Sequence, residues 1–199
     1  MDHVTTRTDP RILRTRRLLK DAFVELLEEM DIEKISVNRI AERATINRVT
    51  FYLHYRDIPD MLEKMADDMV EDVKSILEED MSDHRNSAED LDWQMKKMVK
   101  LLEHIAEQSK FYKVVLATKR TSIFTERLLK LLTERITERV EQLGGKSLNR
   151  RGIQLDIAIW YGSSALIGTI VSWLRNDMPY TPDFLAKQFI LLRERRCED

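Results

Sequence analysis

Apolar residues recur at three- and four-residue spacing from about Arg11 to Met30, where Leu19, Phe23, Leu26, Leu27 and Met30 share one helical face. Residues 31–35 break that pattern, and Ser36 then stands as an N-cap before Val37, Ile40, Ala41 and Ala44, one face of a short second helix. After a turn at Thr45 and Ile46, Asn47 caps a third short helix. Its Phe51 and Tyr55 point inward at i, i+4, which leaves Arg48, Val49, Tyr52 and Leu53 facing outward.

Further along, Pro59 suits the first turn of a long fourth helix through Met61, Leu62, Met65, Met69, Val73, Ile76 and Leu77, ending before Asp80. Ser87 with Asp90 opens a fifth helix carrying Leu91, Met95, Met98, Leu101, Leu102 and Ile105. Phe111 to Leu116 reads as a shorter helix, and Phe124 to Leu143 as a longer one stopped by Gly144-Gly145. Ile157 to Leu174 then runs for eighteen residues without a charge. Its length would allow a membrane span, but Gly162, Ser163, Ser164, Gly168, Thr169 and Ser172 dilute its hydrophobicity. The reading without a membrane is a helix apolar all round, one side of which a two-layer domain covers and the other a second copy of the chain. Gly162, Ala165, Gly168 and Val171 would allow close approach there, joined by Phe184 and Phe189 of a last helix opened by Thr181-Pro182-Asp183. The expectation is an all-α homodimer with an N-terminal domain at 1–57 and a second helical domain at 58–199.

Composition agrees with the pattern: 43% of the 199 residues are apolar, enough to close a core, and Gly (5) and Pro (4) are scarce among abundant helix formers. The single cysteine, Cys197, has no intrachain partner, which excludes a disulfide framework or a Cys-based zinc site and suits a reducing cytoplasm. The first ten residues lack the apolar run of a secretory signal and read as a tail. A net charge of −2 conceals a segregation. Residues 1–20 hold six basic side chains against two acidic ones, whereas residues 57–90 hold thirteen acids against three bases. A polyanion would be met at the first end and repelled along the second stretch.

Two short helices braced by a longer one form the trihelical unit that sets its last helix in a DNA major groove. The outward residues have the chemistry for it. Arg48 can reach guanine O6 and N7 bidentately, Val49 or Thr50 can touch a thymine methyl, and Tyr52 and His54 can donate to phosphates. Catalytic readings fare worse. His3, His54, His84 and His104 are scattered without metal-ligand spacing, no glycine-rich phosphate loop occurs, and no cofactor or metal is expected. Asp67, Asp68, Glu71 and Asp72 read as a solvated face. Trp93, His104, Phe111, Tyr112, Phe124, Trp160 and Tyr161 are the set that could line a pocket for a small apolar effector, with core packing the alternative for each.

The run Ile35-Ser36-Val37, Ile40-Ala41, Ala44, Ile46-Asn47-Arg48, Thr50-Phe51-Tyr52-Leu53-His54-Tyr55 and Met61-Leu62 resembles the TetR-type (tetracycline-repressor-like) transcriptional regulators. The resemblance covers the first third closely and the stretch from Gly162 to Leu192 more loosely. It implies a cytoplasmic, non-enzymatic regulator that binds a double-stranded DNA operator as a dimer, often released by an effector. By that resemblance Ser36, Asn47, Arg48, Val49, Thr50, Tyr52 and His54 face DNA. The sequence departs from the family at three places. Thr45 stands where glycine is usual, Val49 where a small residue is, and Ile58 where a lysine approaches phosphate, a charge that Arg56 or the arm containing Arg7 and Arg11 would supply. A repressor of near-palindromic sites is the leading expectation. An activator or protein-contacting regulator of the same fold, and a helical small-molecule-binding protein without DNA function, are the alternatives.

Overall fold

A computed structural model of the protein describes residues 9–78, 87–118, 121–142 and 153–194. Among these every regular element is helical: α1 (Pro10–Glu29), a 3₁₀ turn (Ile32–Lys34), α2 (Val37–Arg43), α3 (Arg48–Tyr52), α4 (Ile58–Glu78), α5 (Ser87–Glu107), α6 (Ser109–Tyr112) running into a π turn (Lys113–Ala117), α7 (Ile123–Gln142), α8 (Leu155–Arg175) and α9 (Pro182–Glu194). The chain divides into two compact units, residues 1–65 and 66–199, with the division inside α4.

The first unit is built on α1, which starts where Asp9 accepts a hydrogen bond from Arg11 N and Pro10 fixes the first turn. Its buried stripe is Leu19, Ala22, Phe23, Val24, Leu26 and Leu27; Leu19, Phe23, Leu26 and Leu27 are on the face that the sequence periodicity predicts, whereas Met30, expected with them, is the half-buried C-cap. Ile40 and Ala41 of α2, Phe51 of α3, and Tyr55 and Met61 are buried with it. Truncating a ring as enclosed as Phe51 costs about 3–5 kcal/mol, so this core fixes the direction in which α3 points.

In the second unit α9 packs on α5, and α8 packs on α7 and on the π turn. The buried edge of α8 is Ile159, Ser163, Ile167, Ile170, Trp173 and Leu174, and the Ser163 hydroxyl is satisfied by donating to the Ile159 carbonyl at 2.8 Å. The end of α8 is locked to its neighbours. Arg175 Nε donates to the Ala117 carbonyl at 2.8 Å, Trp173 Nε1 to the Tyr180 carbonyl at 2.9 Å, and Lys113 pairs with Asp177 at 2.8 Å. Arg127 pairs with Asp67 at 3.1 Å and Arg135 with Glu78, joining α7 to the later part of α4. The glycine pair 144–145, expected to stop α7, lies outside the described residues.

Candidate nucleic-acid interface

The junction between α2 and α3 is set by hydrogen bonds that the local sequence supplies. Ser36 Oγ accepts from Arg39 N at 3.4 Å, a long N-cap for α2, and Asn47 Oδ1 accepts from Val49 N at 2.8 Å, a short one for α3. Between them Thr45 N donates to the Glu42 carbonyl at 3.0 Å and Ile46 N to the Ala41 carbonyl at 2.9 Å. That pair of bonds is a Schellman closure, which needs a left-handed residue. Thr45 takes it at φ 55, a conformation that costs a β-branched residue roughly 1–2 kcal/mol relative to the right-handed one. The turn therefore keeps the shape that glycine would give it, and the strain is borne by threonine.

The angle of α2 on α1 is pinned by Arg43, whose Nη1 and Nη2 donate to Glu29 Oε1 and Oε2, both at 2.9 Å, with Glu25 reached at 3.3 Å. The same hydrogen bonds hold the Glu29 carboxyl below its usual pKa and push Arg43 up. After α3, Asp57 Oδ1 accepts from Asp60 N at 2.8 Å, while Asp60 Oδ2 accepts from Arg56 N and Lys64 Nζ, each at 2.9 Å. This reciprocal arrangement, close to a capping box, starts α4 at Ile58 and lowers the Asp60 pKa through the Arg56 backbone bond and then Lys64.

On this scaffold α3 turns Phe51 fully inward and leaves Val49 67% and Leu53 77% exposed, too open to be core. Arg48, Asn47, Tyr52 and Ser36 are exposed as well, and Thr50 and His54 are half-buried. Arg48 Nη2 donates to the Tyr52 hydroxyl at 2.9 Å. Burial lowers the His54 pKa, and the charges of Arg16 and Lys64 lower it further. Arg11 is exposed in the first turn of α1, Arg56 is exposed and pairs with Asp57 at 3.2 Å, and Arg7 lies outside the described residues. Ser36 and Asn47 thus spend their side-chain oxygens on helix starts, while Arg48 and Tyr52 bond each other and, with Val49, face outward. Arg43, Lys64 and Arg16 shape this face without having been legible as members of it. Only their basic character was visible: Arg43 reaches Glu29 and Glu25 fourteen and eighteen positions away, Lys64 the His54 carbonyl ten away, and the charge of Arg16 acts on His54 thirty-eight away.

The residues read as an effector set are partly gathered. Phe111 meets Tyr112 edge-on at 5.3 Å and Phe124 at 5.7 Å, all three buried, and His104 Nε2 and the Tyr112 hydroxyl are hydrogen-bonded at 2.9 Å. Burial, with Asp72 nearby, raises the Tyr112 pKa. Trp93 instead stacks under Lys97 Nζ at 4.0 Å, and Trp160 and Tyr161 are 61% and 54% exposed on α8. The residues read as a dimer face divide similarly. Gly162 looks toward α7, where an added Cβ would lie 3.8 Å from Ile136 Cδ1, whereas a Cβ on Gly168 would meet nothing within 4 Å. Ala165 and Phe184 are exposed, and Val171 and Phe189 half-buried.

Residues 92–194 match a TetR-type family described as "Transcriptional regulator C-terminal region". The chain is 24% identical over 172 residues to the uncharacterized HTH-type transcriptional regulator YxbF of Bacillus subtilis (strain 168), which is 85% of this chain but only 42% of that relative's length. Its fold is similar to the TetR transcriptional regulator from Streptococcus agalactiae 2603V (TM-score 0.64, 21% identity, 92% of this chain and 96% of that one). It is also similar to the transcriptional regulator FadR from Bacillus subtilis, solved in complex with stearoyl-CoA (TM-score 0.57, 21% identity, 88% and 96% covered). With more than half of its length inside the family match and an all-helical fold shared with these structures, the chain belongs to the TetR-type transcriptional regulators, a family of regulators and not of enzymes.

Proposed function

We propose that this chain binds a near-palindromic double-stranded DNA operator as a homodimer in the cytoplasm and represses transcription by occupying it. The observation that carries the reading is α3, a short helix whose single inward ring, Phe51, fixes an outward face made of Arg48, Val49, Thr50 and Tyr52. That face combines a bidentate donor for guanine with an apolar contact for a thymine methyl. Residues 1–57 act as the reading head, to which Arg7 and Arg11 contribute basic charge, and residues 58–199 dimerise and receive an effector. Support for the dimer comes from α8, which leaves Ile157, Trp160, Tyr161, Ala165 and Gly168 exposed in a row on a helix without interior charge. Two heads related by a twofold axis meet half-sites roughly 34–36 Å apart, or a multiple of that. The effector is read as a small, partly apolar molecule whose polar group meets the His104–Tyr112 pair, the polar point in the Phe111, Tyr112 and Phe124 cluster.

Titration of operator duplex by the Arg48→Ala variant tests the head. The expected loss is about 1–3 kcal/mol on the preferred site, with little change on scrambled DNA. Unchanged affinity and preference would refute the docking of α3.

A further inference from the structure

We propose that Tyr52 is the positioning residue of base readout: it holds the Arg48 guanidinium for its base edge, so that sequence preference under Arg48 depends on Tyr52. The proposal rests on the operator-binding reading above and goes beyond it, because a recognition-helix tyrosine is otherwise expected to anchor phosphate and to affect all sequences alike.

The geometry is a chain of fixation that begins in the core. Phe51 is fully buried, and the Tyr52 ring stands edge-on to it, centroids 5.5 Å apart and planes at 86°. Arg48 and Tyr52 are one helical turn apart on the exposed face. The arginine is held twice: Nη2 donates to the Tyr52 hydroxyl at 2.9 Å, and Cζ lies 5.5 Å from the Tyr52 ring centroid. A flexible side chain is thereby given one orientation before DNA arrives, which reduces the ordering lost on binding.

The partner's chemistry matters as much as its position. Arg43 is committed to Glu29 and Glu25, Arg56 to Asp57, and Arg17 to Asp21. Among the described residues Arg48 pairs with no carboxylate. A phenol orients the guanidinium without neutralising it and occupies one of its five N–H donors, leaving the pair that a guanine O6 and N7 require. No ion pair has to be broken before a base is read.

The test uses the full chain and a duplex selected by the wild type from random-sequence DNA. Wild type, Arg48→Ala, Tyr52→Phe and the double variant are titrated at one salt concentration against that duplex, against single base-pair replacements across each half-site, and against a scrambled duplex. Circular dichroism confirms that each variant is folded, which an exposed loss of one hydroxyl should allow. The expected result is that Tyr52→Phe loses about 3–10-fold on the selected duplex and less than about twofold on the scrambled one, and flattens the preference at the same base pair that Arg48→Ala flattens. In the Arg48→Ala background Tyr52→Phe should add nothing. Equal weakening on both duplexes, additive with Arg48→Ala, would identify a phosphate contact and overturn the positioning role while leaving operator binding intact. A wild type that selects no duplex would overturn both.

Discussion

In the first unit, the helix that carries the exposed chemistry hides one ring, Phe51, and shows a mixture of arginine, tyrosine and isolated apolar groups. In the second, α8 hides Ile159, Ile167 and Ile170 and shows Ile157, Trp160, Tyr161, Ala165 and Gly168 with no charge among them. In the first unit Arg43–Glu29 and Lys64–Asp60 fasten the helix junctions with ion pairs, while Arg48, on the outward face, pairs with no carboxylate among the described residues. From Ile157 to Leu174, α8 carries no charge with which to form such ion pairs. Scattered exposed apolar residues need no explanation, but a contiguous uncharged stripe does. The difference separates a face made to meet a polyanion from one made to meet another apolar surface.

The largest effect expected from breaking this contrast is at Gly168. A Cβ there meets nothing within 4 Å, so Gly168→Glu should leave the isolated chain helical. Buried against a second copy, an unpaired carboxylate costs about 3–5 kcal/mol. Light scattering should then find monomers at micromolar concentration, and tight operator binding should be lost while weak, salt-sensitive DNA association persists. A variant that stays dimeric would remove α8 from the interface.

A smaller effect sharpens the same contrast through two helix ends. Thr45 and Asp177 both close a Schellman turn with positive φ, 55 and 56. Thr45→Gly removes the strain and should stabilise the first unit by about 0.5–1 kcal/mol against urea. Asp177→Gly should gain less, because Asp177 also holds Lys113 at 2.8 Å. Equal gains at the two sites would show that the ion pair contributes nothing.

The mildest test is pH. Burial and the charges of Arg16 and Lys64 lower the His54 pKa in the folded chain, from an unfolded value of about 6.5. The unfolded chain therefore binds more protons just below that value, and the first unit's stability, full above about pH 6.5, should fall as pH drops toward the folded pKa. A phosphate beside His54 acts the other way, so DNA binding should tighten over the same range. Fluorescence anisotropy between pH 7.5 and 5.5 would show that slope, and His54→Gln should flatten it. A slope that His54→Gln leaves in place would assign it elsewhere.

Much of this was legible in the sequence where the cause is local. The caps at Ser36 and Asn47, the inward Phe51 and Tyr55, and the start of α9 at Pro182 follow from neighbouring residues. At Thr45 the sequence shows a departure, threonine where glycine is usual, but not that the turn keeps positive φ in spite of it. What escaped has nonlocal causes. Arg43 finds Glu29 fourteen positions away, and Lys113 finds Asp177 sixty-four away. Aromatic character alone could not separate Phe111, Tyr112 and Phe124, which pack together, from Trp160 and Tyr161, which face outward on the same side as Gly168. The π turn after α6 also has no periodicity that distinguishes it from an ordinary helical turn.

The central claim, that a twofold pair of α3 helices reads DNA, is tested most directly by letting the full chain select duplexes from a random-sequence pool. The selected pool should be enriched in a near-palindrome whose half-sites lie roughly 34–36 Å or a multiple apart, each with a guanine that Arg48→Ala ceases to prefer. A pool that never enriches, or one that enriches a single asymmetric site bound by a monomer, would contradict it.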